Sequence, residues 1–102
     1  MWKRCGAAAP GVFALTREPP DVARSGDVWS VTLRFRESLI SDAHVRVYRR
    51  ASLLTDHHFL ARVGEVAVGP FLLAPGNYTL RLTVVDPYGR VRTLTWLVAL
   101  AR

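Results

Sequence analysis

The sequence has one cysteine, Cys5, in 102 residues. No intrachain disulfide can form, and the usual cysteine-rich zinc site is excluded. There is one lysine, Lys3, and there are only eight acidic residues. Neither a G-x-G-x-x-G nor a G-x-x-x-x-G-K-[ST] pattern occurs, which excludes those two phosphate cradles. No run approaches the ~18 consecutive apolar residues of a membrane-spanning helix. After Lys3-Arg4, the stretch broken at Gly6, Pro10 and Gly11 lacks the apolar density of a signal peptide.

Half of the residues are hydrophobic and 22% are charged, so wholesale disorder is excluded. The length allows one domain with a real core and leaves no room for a separate cofactor domain. The basic residues are thirteen Arg and one Lys, for a net charge of +6. Arginine's planar fork pairs bidentately with carboxylate or phosphate, so this bias suits a protein interface or an anionic partner. It is equally what GC-rich codons would produce.

The dominant hydrophobic period is two, the signature of strands. In Asp27 to Arg36, Trp29, Val31, Leu33 and Phe35 alternate with Ser30, Thr32, Arg34 and Arg36. In Ala43 to Arg49, Val45 and Val47 face in, while His44, Arg46 and Tyr48 face out. Phe59 to Leu73 reads as two short strands with a bend at Gly69-Pro70, where proline cannot donate to a ladder. Asn77 to Val85 places Tyr78, Leu80, Leu82 and Val84 on one face. Asp86-Pro87-Tyr88-Gly89 is a β-turn. Arg90 to Leu100 returns with Leu94, Trp96, Val98 and Leu100 facing in, so the pair forms an antiparallel hairpin. Ser38 to Ala43 and Ala51 to His57 are the only candidate helical turns, and both are short. Residues 1–20 read as an extended arm ending in a first strand around Val12 to Thr16. Glu18-Pro19-Pro20 stiffens the chain before a sandwich over residues 21–102.

The expected fold is all-β, an antiparallel sandwich of about seven strands with an N-terminal arm. Residues 73–102, and above all Leu73-Ala74-Pro75-Gly76-Asn77-Tyr78 and Asp86-Pro87-Tyr88-Gly89, resemble the last hairpin of immunoglobulin-like domains. The fibronectin type III and PKD-like members are the nearest in pattern. The resemblance places Tyr78 as the corner tyrosine and Trp29 as the buried aromatic of an early strand. Leu80 stands where antibody-type domains have their second cysteine, so that subclass does not fit. Such a fold says little about function.

The chemistry-bearing residues form no enzyme. Ser41, Asp42 and His44 have triad residue types, but no nucleophile elbow or oxyanion loop accompanies them. Asp56-His57-His58 is the only histidine cluster. Adjacent side chains on a strand point to opposite faces, so the pair cannot chelate one ion there, and a third ligand would have to come from afar. No metal and no cofactor is expected. Cys5 beside Lys3 and Arg4 has cations that favour its thiolate, but no partner base. Asn77-Tyr78-Thr79 fits an N-glycosylation acceptor. Arg34, Arg36, Arg46 and Arg81 form a candidate basic face, with Tyr48 and Tyr88 as its few stacking aromatics. Trp2, Val12 and Phe13 make the arm apolar and suited to docking on a neighbour.

The reading is a non-catalytic interaction module, a small structural or accessory subunit of a larger homo- or hetero-oligomeric assembly, such as a virion decoration protein. The alternatives are a cell-surface adhesion or receptor-type domain and a basic nucleic-acid-binding β domain. The expected location is virion or cytoplasm rather than secreted.

Overall fold

The computed structural model describes residues 15–102. These form eight strands: β1 (Leu15–Arg17), β2 (Asp21–Ser25), β3 (Val28–Glu37), β4 (Ser41–Arg49), β5 (Ser52–Ala61), β6 (Gly64–Leu73), β7 (Gly76–Val85) and β8 (Val91–Leu100). All pairings are antiparallel. In one sheet, β3 pairs with β1 and β2 along one edge and with β6 along the other. The second sheet runs β5-β4-β7-β8. Among the described residues there is no helix, and so none long and apolar enough to cross a membrane.

Alternation explains the core. Val31, Leu33 and Phe35 of β3 face Val45 and Val47 of β4 and Leu80, Leu82 and Val84 of β7, all with no exposed surface. Trp96, Val98 and Leu100 of β8 join them. Each inward side chain is followed by an outward one, as a half-buried sheet requires. The strand count exceeds seven because Glu18-Pro19-Pro20 splits one edge into β1 and β2, which lie end to end against β3.

The segments considered for helix are strand or strand approach. Ser41 opens β4, and Ser52 opens β5. Phe59 to Leu73 is the end of β5 and one continuous ten-residue strand, β6. Gly69 and Pro70 together oppose Thr32, a bulge rather than a break, on an edge strand where proline's missing donor is tolerated. A Cβ on Gly69 would lie 2.8 Å from the Val31 carbonyl oxygen, and its φ is 130°, so only glycine fits.

The final hairpin forms as its sequence indicates. The Asp86 carboxylate accepts hydrogen bonds from the backbone N–H groups of Tyr88 (2.9 Å) and Arg90 (2.8 Å) and from Arg90 Nε (2.6 Å). Burial alone would raise this carboxyl, but those donors outweigh it and hold it below the usual carboxylate range. Trp29 is half-buried against the core, and its indole N–H donates to the Ala101 carbonyl at 2.9 Å. Trp96 does the reciprocal thing, donating to the Glu18 carbonyl at 2.8 Å. Arg17 Nη1 adds a bond to the Thr95 carbonyl at 2.7 Å.

Candidate functional site

The two outer faces differ in what they leave unsatisfied. On the outer face of β3, Arg34 binds the Asp21 carboxylate of β2, and Arg36 binds Glu18 at 3.1 Å. Asp21 keeps the Arg34 guanidinium charged by hydrogen bond and Coulomb attraction, raising its pKa. Both arginines of this face are thus matched by acids of the adjoining edge.

The outer face of the β5-β4-β7-β8 sheet is arranged in cross-strand rows. One row runs Leu53, Tyr48, Thr79, Leu97, each paired with the next. The bulge at Leu54 sets Leu53 and Leu54 together against Tyr48. Leu97 is 80% exposed, the most exposed of the large apolar side chains on this surface. The next row runs Asp56, Arg46, Arg81, Thr95. Arg46 and Arg81 are direct register partners. Arg46 Nε donates to Asp56 Oδ2 at 3.1 Å. Arg81 lies over the Tyr48 ring, 5.8 Å from its centre, and has no carboxylate partner among the described residues. The third row places His58 against His44, with Thr83 beyond.

This geometry places the four candidate arginines two and two. Arg34 and Arg36 lie on one sheet and Arg46 and Arg81 on the other, so they do not make one continuous basic face. Trp2, Val12 and Phe13 lie outside the described residues. Asp56-His57-His58 lies in the middle of edge strand β5. His57 points to the opposite side and stacks on Phe59, 5.6 Å between ring centres. The Ser41-Asp42-His44 group does not assemble: Ser41 is buried and turned inward, donating to the Leu39 carbonyl, and Asp42 and His44 face outward.

Two features were not drawn from the sequence. His44, on β4, joins Asp56 and His58, with all three potential ligand atoms within 4.8 Å of one another. The distant residue that a chelate would need is thus supplied by strand pairing. Glu37, in parity with Val31, Leu33 and Phe35, turns inward and is only 4% exposed. Burial pushes its carboxyl up to about 7, with Ser41 beside it pulling weakly the other way.

Comparison of the chain with protein-family models, with curated proteins and with solved structures finds no match. The class defined by the coordinates is therefore a two-sheet antiparallel β-sandwich.

Proposed function

We propose that the protein is a non-catalytic interaction module of immunoglobulin-like architecture, a structural subunit that associates with further copies of itself through the outer face of the β5-β4-β7-β8 sheet. The immunoglobulin-like part of this reading is supported by the strand order. The seventh strand lies between the fourth and the eighth, and β3 lies between the first edge and β6, as in such sandwiches. β5 adds to the edge of β4, the place variable-type domains give an extra strand. Tyr78, near the start of β7, donates its hydroxyl to the Ala74 carbonyl at 2.6 Å, the hydrogen bond of a tyrosine corner.

The observation that carries the functional part is the apolar row ending in Leu97, set beside Arg81. Leu53 and Leu54 at one end and Leu97 at the other are exposed, with half-buried Tyr48 and Thr79 between them, and exposed apolar groups set beside polar ones mark an interaction surface. The same face presents exposed Asp42 at one end and Arg81 at its centre, so a two-fold contact can set acid against base. The two-and-two division of the arginines, with Arg34 and Arg36 already paired to acids, speaks against nucleic acid. A glycan on exposed Asn77, which neighbours Leu97 in a surface depression, would cover the row, so the receptor-type reading predicts a mass shift that this one does not.

Light scattering on the full chain tests the proposal. A defined oligomer that becomes a monomer in Leu97→Asp supports it. A monomer at every concentration overturns it, and strongly salt-dependent binding to a DNA oligonucleotide would put the nucleic-acid reading in its place.

A further inference from the structure

We propose that His44, Asp56 and His58 form a binding site for one divalent transition-metal ion, with zinc as the reference ion. The site follows from sheet geometry. Asp56 and His58 are two residues apart on β5 and so share a face. His44 sits directly opposite His58 on β4, where cross-strand side chains meet. Three donors are thereby fixed on two paired strands rather than on a mobile loop.

The two distances to the carboxylate fit a metal better than a hydrogen bond, and with all three atoms within 4.8 Å a small rotation of the two rings closes the set around one ion. Asp56 Oδ1 lies 3.5 Å from His44 Nδ1 and 3.5 Å from His58 Nε2. An N–H···O bond prefers about 2.7–3.2 Å. In a tetrahedral zinc site with bonds of about 2.1 Å, neighbouring ligand atoms lie about 3.4 Å apart. His44 Nδ1 is also buried and has no hydrogen-bond partner. A buried ring nitrogen without a partner is costly, and an ion on it would remove that cost.

The surroundings suit an ion as well. Arg46 holds Asp56 Oδ2 at 3.1 Å, which leaves Oδ1 for the metal and fixes the carboxylate's plane. Burial works against the Asp56 charge, but the hydrogen bond and charge of Arg46 oppose it and the carboxyl lies below its usual range. Beside the triad is a shallow depression of about 210 Å³ lined by Asp42, Ala43, His44, His58, Thr83 and Val85. It gives the fourth coordination position room for a water. Three protein ligands with nitrogen and oxygen donors and one open position suit zinc, and copper(II) would compete by its higher intrinsic affinity.

The test is calorimetric titration of the full chain with zinc chloride, with equilibrium dialysis for stoichiometry. One ion per chain is expected. His44→Gln and His58→Gln should each weaken binding by about tenfold or more. His57→Gln is the control, since that ring sits one residue away on the other side of β5. Cys5→Ser should leave affinity unchanged. The His58 side chain is 73% exposed, so its substitution leaves the fold intact, which circular dichroism verifies. Absence of stoichiometric binding, equal loss in His57→Gln, or loss in Cys5→Ser overturns the proposal. The outcome is independent of oligomeric state, because Leu97→Asp is expected to retain the ion.

Discussion

The two sheets contribute to one core in the same way, yet their outer faces are opposites. On β3, each outward arginine meets an acid from the adjoining edge, Arg34 with Asp21 and Arg36 with Glu18. On the β5-β4-β7-β8 sheet, Asp56 is shared by Arg46, His44 and His58, and Arg81 lies over the Tyr48 ring with no carboxylate partner among the described residues. Net charge is thus a poor guide to a binding face. What matters is whether the neighbouring strand brings an acid into register: both faces expose apolar side chains, Leu72 on one and Leu97 on the other, but only the β5-β4-β7-β8 face leaves a central arginine, Arg81, without a carboxylate among the described residues.

The largest test of this contrast asks whether the inner faces are as equivalent as the outer faces are different. Leu33→Ala in one sheet and Leu82→Ala in the other should each cost about 2–5 kcal/mol, because both side chains are fully buried. Chemical denaturation of both variants should show a single transition of the same steepness. Two separate transitions would mean that the sheets are not one cooperative unit.

Glu37 comes next, because it breaks the rule that inward positions are apolar. Its folded pKa of about 7 lies above the ordinary 4.5, so the neutral acid is the favoured folded form. Its contribution to stability is full below pH 4.5 and is lost as the pH rises through 7. A shift of this size corresponds to up to about 3 kcal/mol. Glu37→Gln should therefore flatten the decline across that window and leave the variant more stable than wild type at pH 8. Denaturation midpoints measured across pH 4 to 8 check the sign.

Tyr78→Phe removes one hydroxyl from the β6–β7 corner and leaves the Ala74 carbonyl without its donor. The expected loss is about 1 kcal/mol, read as a lower thermal midpoint with unchanged cooperativity. The smallest effects belong to the outer arginines. Arg34→Gln and Arg81→Gln should both leave the thermal midpoint unchanged, since exposed pairs contribute little. They should part company in the light-scattering assay, where only Arg81→Gln weakens association.

Much of the fold was legible from alternation. Leu80, Leu82, Val84, Trp96, Val98 and Leu100 are inward as their spacing indicates, and Asp86-Pro87-Tyr88-Gly89 turns the chain as its residues indicate. β5 was not legible, for a physical reason. It is an edge strand exposed on both sides over most of its length, so nothing selects alternation in Leu53-Leu54 or Asp56-His57-His58. The His44–Asp56–His58 group escaped for a related reason. Its existence depends on the register between β4 and β5, which includes a shift at Tyr48, and register is not written in either strand alone. The burial of Glu37 is a continuation of β3 parity by one residue past the last obvious alternating position.

Trp29 and Trp96 have one more consequence. Each indole reaches from one sheet to backbone flanking a strand of the other, to Ala101 and to Glu18, and Arg17 adds a third tie to Thr95. Together they form a stitched seam where β1 and β8 meet the ends of the described chain. If a neighbour pulls on the subunit from either end, the load falls first on these three bonds and not on the buried core. Two of the three are indole donors, so the opening of that seam carries its own optical signal, a change in tryptophan emission that precedes any loss of the sandwich.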